Sequence, residues 1–384
     1  MPYGIESRST TRGTQIEIET IPGPHTTGVN AHWGERIPRN DLVERIKIAY
    51  PNIPLQNSTG FDVIWHQADG TSREQGIQDE LEVGKLLIET VIKSNGWKPE
   101  EVAGLFIGSG VPIADDPRYQ DYARTLGGMV GMRQDAHFDN MYAACASGGH
   151  QLINALTRED MQGEKVVVAG LEGISFLTEN FDPKLADSLS MEFFGNGAAA
   201  KGIIPGRTMT VLSQAHRVVR DEDEVLAAHM TYKDMMDPNG ETLQSHGNTR
   251  MIVMPTPKDG MRITMEGPST GLFFIRNTLG LVEELYKEHL ERWGHFPIDF
   301  SSQHHPSETV FNNFQKRAKR LGISVPTPWV VNDGNSSAAT SLIAHNRIVG
   351  ELARPGNVEL FVAYGAGGSF DGGVILHAGK PQTL

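Results

Sequence analysis

One cysteine stands among the 384 residues of this chain. A single thiol excludes an internal disulfide, and with it the stapled secreted class, so the cytoplasm is the expected compartment. Long apolar runs are missing as well. No stretch reaches the roughly 18 residues that a bilayer-spanning helix needs, and the opening MPYGIESRSTTRG has no apolar leader core. Positive charge is in short supply: 34 Lys and Arg face 47 Asp and Glu, a formal net charge of −13. That balance excludes general nucleic-acid binding, which calls for a basic surface.

What is present is glycine and a sufficient apolar fraction, 42 residues and 39% of the chain. The length allows one large domain or two ordinary ones around a sizeable core. Residues 1–14 are polar and predict a frayed lead-in, and the alternation of TQIEIETI (14–21) predicts a half-buried strand. Residues 22–79 are rich in Pro, Gly, Asn and His and yield one short helix, around RNDLVERIKIAY. From residue 80 a βαβ rhythm sets in. ELEVGKLLIETVIKSNG (80–96) has helical spacing and a glycine stop, VAGLFIGSG and AHFDNMYAA read as strands, SGGHQLINALTRE as a helix and KVVVAGLEG as a buried strand. This alternation predicts a parallel or mixed sheet covered by helices.

The second half repeats the plan. MRITMEG (261–267) reads as a strand, GLFFIRNTLGLVEELYKEHLERWG as a long amphipathic helix and IDFSSQHH as a strand. SETVFNNFQKRAKRLG reads as a helix with Ser307 as N-cap, Gly322 as stop, and Val310, Phe311, Phe314, Ala318 and Leu321 on one face. CASGGHQLINAL laid over NSSAATSLIAHN at an offset of 190 pairs Ser147 with Ser337, Leu152 with Leu342 and Ile153 with Ile343. The self-similarity predicts a duplicated fold with a pseudo-twofold axis, in which Cys145 and Asn335 occupy equivalent strand-to-helix turns.

Those two turns carry chemistry. Cys145 opens a helix, whose free N–H groups and macrodipole favour a thiolate. Small neighbours (Ala143, Ala144, Ala146, Gly148, Gly149) let a substrate carbonyl reach the backbone, and the glycine-rich YGAGGSFDGG (364–373) offers a second N–H for an oxyanion. The competing reading is a buried, inert cysteine, the commoner fate of a free thiol. His304 and His305 sit at a strand-to-helix junction, where alternation sends one side chain to each side. No Cys or carboxylate stands at ligand spacing from them, so no metal is expected there. Asn335 brings a carboxamide with two donors. A nucleophile with two neutral donors suits formation of an enolate by loss of CO2 from a malonyl thioester.

These segments resemble the ketoacyl-synthase III branch of the thiolase superfamily. NMYAACASGG is similar to its Ala-Ala-Cys nucleophile segment. FFGNGAAA (193–200) resembles its Phe-Gly-Asp-Gly-Ala turn with Asn196 in place of the acid. GNSSAATS resembles its asparagine segment, and AYGAGGSFDGG its C-terminal glycine turn. The resemblance covers roughly 35–384 and implies a thiolase-like duplicated α-β-α-β-α five-layered fold, with an N-terminal half (1–205) carrying the nucleophile and a C-terminal half (206–384) carrying His and Asn. It further implies a homodimer, no cofactor, a Cys145–His304–Asn335 triad with His305 as the alternative imidazole, and an oxyanion hole from the amides of Cys145 and Ala366. Expected substrates are acyl-CoA or acyl carrier protein thioesters and a malonyl-type thioester, with no nucleic acid and no membrane involved. Two departures, the longer N-terminal region and IADDPRYQDYAR (113–124) near the family's tunnel entrance and dimer contact, suit specialised polyketide metabolism at least as well as fatty-acid initiation. Other readings of the same residues are an acyltransferase to an alcohol or amine, a condensation without prior decarboxylation, a non-catalytic partner subunit, and a cysteine protease. Thiolysis of the thiolase type needs a second cysteine, which the chain lacks.

Overall fold

A computed structural model describes residues 4–49, 51, 55, 59–67, 71–110, 121–173, 192–219, 254–255, 261–262, 267–294, 297–323, 325–365 and 368–377. Its strands are β1 (Gly4–Ser9), β2 (Gln15–Pro22), β3 (Thr27–Trp33), β4 (Glu35–Pro38), β5 (Val63–His66), β6 (Gly104–Ser109), β7 (His137–Tyr142), β8 (Val166–Glu172), β9 (Gly197–Ile203), β10 (Met209–Val218), β11 (Met254–Pro255), β12 (Met261–Arg262), β13 (Phe300–Gln303), β14 (Val358–Tyr364) and β15 (Ser369–His377). The helices are α1 (Arg39–Ala49), α2 (Arg73–Ser94), α3 (Tyr122–Met129), α4 (Ser147–Thr157), α5 (Gly267–Trp293), α6 (Glu308–Arg320) and α7 (Thr340–Leu352).

Two mixed sheets run β1-β2-β3-β9-β8-β6-β7 and β10-β15-β14-β13. The segment β3-β9-β8-β6 is antiparallel, antiparallel, parallel, and β10-β15-β14-β13 repeats those three senses in the same order. Helices α4 and α7 lie between the sheets and touch both; α2 and α3 cover the outer face of the first, and α5 covers that of the second. The result is the duplicated α-β-α-β-α sandwich. Strands β8 (VVVAGLE) and β14 (VELFVAY) are buried at every residue because helices cover both of their faces, which is why they read as continuous apolar runs.

Several segments differ from the sequence expectation. Residues 4–9 are not frayed: β1 pairs along its whole length with β2, although every residue of it is exposed. An edge strand held by its ladder needs no apolar side chains, so composition hides it. The stretch 22–79 holds β3, β4 and β5 besides α1. Helix α2 begins seven residues before the predicted window, where Ser72 accepts the Gln75 N–H at 3.2 Å and caps it. In α6, Phe311, Phe314 and Ala318 are buried as predicted, but Leu321 is 50% exposed because the helix has ended and the chain turns at Gly322 (φ +80°). Of the predicted strand 261–267, Met261 and Arg262 pair with β11, residues 263–266 lie outside the described residues, and Gly267 already begins α5.

Candidate active site

Strand β7 ends at Tyr142, and the chain reverses into α4 within four residues. Ala144 takes the left-handed region (φ +49°), a conformation that costs a residue with a Cβ roughly 1–2 kcal/mol. Ser147 fixes the turn. Its Oγ accepts the Ala143 N–H at 2.7 Å, and its proton lies between the carbonyls of Ala144 (2.7 Å) and Ser109 (2.8 Å). Cys145, in no disulfide, is carried on this turn, 6% exposed.

The end of β14 closes over it. Gly365 lies so near the turn that a Cβ there would stand 2.8 Å from the Cys145 nitrogen and 2.7 Å from that of Ala146. Only glycine fits that approach. Gly365 is held by its own N–H to the Ser369 carbonyl at 3.0 Å, and it receives the Gly368 N–H at 3.0 Å. The proposed second oxyanion donor, Ala366, lies outside the described residues, as do residues 113–120 of the charged segment.

His304 follows β13 and extends its parallel ladder by donating its N–H to Val362 O at 3.0 Å. Tyr364 donates its hydroxyl to the His304 carbonyl at 3.0 Å, and the two rings meet edge to face at 5.1 Å. Burial, and then the neighbouring Cys145, push the Tyr364 hydroxyl far above its ordinary pKa. Tyr364 is therefore the shared neighbour of the thiol and of His304. Both nitrogens of the His304 ring lack a hydrogen-bond partner among the described residues, and burial pulls its pKa down to about 3. The imidazole is neutral at physiological pH. His305 goes elsewhere: its ring stacks on Trp329 at 4.7 Å and meets Phe311 edge-on at 4.7 Å. It too is held well below the histidine range, by burial first and by His304 and Arg347 next.

Asn335 sits on the turn that duplicates the one at Cys145. Gly334 before it has φ +92°, the counterpart of Ala144, and a 3-10 turn (Ser337–Ala339) leads into α7. The Asn335 backbone is tied on both sides, N–H to Phe193 O at 2.7 Å and carbonyl from the Gly195 N–H at 3.1 Å. Its Oδ1 accepts from the Ser337 N–H and the Thr340 hydroxyl, each at 2.9 Å, which leaves Nδ2 and its two hydrogens for a ligand. The two helical turns pack directly on each other: the Ala338 carbonyl occupies the place that a Cβ on Gly148 would take.

Sequence reasoning did not find Tyr364's role, nor Glu172. Glu172 ends β8 fully buried, accepts the Gly110 N–H at 2.5 Å and bonds Ser337 of the asparagine turn. Burial, and then Glu80, hold its carboxyl well above the usual range. The available signal was an acid closing an otherwise apolar strand. Asn196, where the resemblance expects an acid, is buried and donates Nδ2 to Trp33 O and Gln67 Oε1, both at 3.3 Å. A cavity of about 550 Å3 is lined by Arg39, Phe61, Glu308 and the same Trp329 that stacks on His305.

No protein-family model and no curated protein sequence matches the chain. Solved structures do. The 3-oxoacyl-[acyl-carrier-protein] synthase III from Aquifex aeolicus VF5 is 16% identical over 97% of this chain and 100% of that one, with a TM-score of 0.62. The priming β-ketosynthase of the R1128 polyketide biosynthetic pathway is 16% identical over 93% and 96%, at 0.66. The 1,3,6,8-tetrahydroxynaphthalene synthase of Streptomyces coelicolor A3(2), a bacterial type III polyketide synthase, is 14% identical over 92% and 99%, at 0.64. Identity this low carries the fold, which is the thiolase-like fold of these synthases, and leaves the chemistry to be argued from the residues. Among the described residues no helix is long and apolar enough to cross a membrane.

Proposed function

We propose that the chain is a condensing enzyme of the ketoacyl-synthase III type, its halves being 1–205 and 206–384. The Cys145 thiolate attacks the carbonyl of an acyl-CoA or acyl carrier protein thioester, the C–S bond breaks, and the carrier thiol leaves. A malonyl thioester then binds with its carbonyl oxygen between the His304 imidazole and Asn335 Nδ2. Its carboxylate departs as CO2, and the electron pair left behind forms an enolate held by those two donors. The enolate carbon attacks the acyl-Cys145 carbonyl, and collapse of the tetrahedral adduct returns the thiolate and releases a 3-ketoacyl thioester. The backbone amide of Cys145 and one from the turn after Gly365, placed by the resemblance at Ala366, stabilise the oxyanion in both acyl steps. The cavity at Arg39 and Trp329 is the proposed approach of the carrier arm. By the same reading the enzyme acts in fatty-acid or polyketide biosynthesis, as a cytoplasmic homodimer.

The observation that carries this reading is a buried imidazole with both nitrogens unpartnered and its pKa near 3, sharing Tyr364 with the chain's one thiol. A group of that kind donates a hydrogen bond to an enolate without protonating it. The test is incubation with acyl-CoA and malonyl-CoA, following acyl loading by intact mass and CO2 release. Loading on wild type that disappears in Cys145→Ala, with CO2 and a ketoacyl product, supports the proposal. Loading that persists in Cys145→Ala overturns the nucleophile, and an ester or amide product without CO2 replaces condensation by acyl transfer.

A further inference from the structure

A second cluster lies on the far side of the nucleophile's helix. His150, in the first turn of α4, and His216 on β10 both point Nδ1 at one oxygen of Asp371 on β15, at 2.8 Å and 2.6 Å. Three elements that are remote in sequence meet there. The two imidazole nitrogens and a carboxylate oxygen lie within 4.8 Å of one another. Asp371 is 3% exposed, and its other oxygen accepts the Ser369 hydroxyl at 3.1 Å, so the carboxylate is oriented from behind. His216 is about half exposed, which leaves one side of the cluster open to solvent.

We infer that His150, His216 and Asp371 form a binding site for a zinc-class divalent cation. Two neutral imidazoles and one carboxylate are a donor set that borderline metals prefer, and Mg2+ and Ca2+ do not. A cation about 2.0–2.1 Å from each ligand separates tetrahedral ligand atoms by about 3.3 Å. The two N···O spacings, 2.8 Å and 2.6 Å, open to that value by side-chain rotations of about half an ångström or slightly more, and the two nitrogens stay within the 4.8 Å that the cluster spans. The open side supplies the fourth ligand, a water. Each neutral ring frees its Nδ1 lone pair by moving its one hydrogen to Nε2 through solvent, so the two N–H···O bonds are replaced by two N–metal bonds with no net loss of protons, and a ring that starts as imidazolium releases one proton. Ser369 then plays the part of the outer hydrogen bond that orients a ligating carboxylate. The metal ties α4, the helix that Cys145 precedes, to the edge of the second sheet. The site is independent of the chemistry at the thiol.

Chelator-treated full-length protein is dialysed against Zn2+, with Mg2+ in parallel, and bound metal is counted by mass spectrometry. One Zn2+ and no Mg2+ per chain are expected for wild type and for Cys145→Ser, which removes the thiol as a competing ligand. His216→Ala, at a half-exposed position where folding is not at stake, loses the stoichiometric ion. Ser369→Ala weakens it about 10-fold or more. At a Zn2+ concentration 100 times the Kd, the wild-type Tm rises by about 3 °C, and that of His216→Ala does not. The inference is overturned by the absence of stoichiometric Zn2+ on wild type, which leaves a plain hydrogen-bonded triad, or by Zn2+ that persists in His216→Ala.

Discussion

At the scale of single residues, two neighbouring histidines divide into different work. His304 meets Tyr364, and through it the surroundings of Cys145; His305 is pressed between Trp329 and Phe311. His304→Ala is therefore expected to abolish decarboxylation, by a factor of roughly 100 or more in CO2 release, while acyl loading of Cys145 continues. His305→Ala is expected to lower stability by about 1–3 kcal/mol, since it removes a stacked ring from a closed cluster and leaves a cavity. Denaturant melts alongside CO2 assays separate the two, and the opposite pattern exchanges the assignments. Gly365→Ala puts a methyl 2.7–2.8 Å from the amides at the thiol. It is expected to cut acyl loading by roughly two orders of magnitude, read as the rate of appearance of the acyl adduct by mass.

At the scale of elements, the two turns that carry Cys145 and Asn335 depend on contact between α4 and the 3-10 turn before α7. That contact exists because Gly148 has no Cβ where the Ala338 carbonyl sits. Gly148→Ala forces the elements apart, at a cost of about 2 kcal/mol. It is expected to lower turnover more than it lowers alkylation of Cys145 by iodoacetamide, because the thiol stays on its own turn while Asn335 is displaced. Equal losses of both would mean that the turn itself has collapsed. Ala144 and Gly334 both occupy left-handed conformations one residue before the reactive side chain, so the two halves share a turn as well as a topology. That symmetry puts the thiol and the carboxamide on equivalent turns of two halves that pack against each other.

At the scale of the whole molecule, sealing neutral histidines makes stability depend on pH. His304 has a folded pKa near 3 against an ordinary 6.5, so between those values the unfolded chain binds the extra proton. Stability is complete above about pH 6.5 and falls as pH drops, by about 1.4 kcal/mol per pH unit for one such group. His305 and His32 shift in the same direction by burial. Asp333 and Asp371, held below the usual range, add to the loss only once the pH nears the ordinary carboxylate values. Two groups work the other way and offset part of the loss: His216, which Asp371 raises but which is half exposed and screened by solvent, and buried Glu172, whose raised carboxyl takes up its proton in the fold before it does in the unfolded chain. The Tm is therefore expected to stay level above about pH 6.5 and to fall from there to pH 5, and His304→Gln to flatten that slope. A wild-type Tm unchanged over the interval would show that protons reach these rings in the folded state.

The sequence by itself determined the βαβ rhythm, the buried strands and the identity of the thiol, because apolar period, run length and the rarity of a residue type are local properties. It also located the turn of Asn335 and the cap at Ser307, where side chain and backbone interact over a few residues. It did not determine β1, whose exposed residues are held only by pairing with β2, nor β3 to β5, hidden in a stretch without clear period. It narrowed the imidazole to two and left the choice to packing, since alternation says that neighbours diverge but not which one meets Tyr364. Tertiary structure alone placed Tyr364 and Glu172 beside the site and gathered His150, His216 and Asp371 into one cluster. The physical reason is the same in each case: these groups act through distance in space, between residues up to 221 positions apart, and a linear chain carries no measure of that distance.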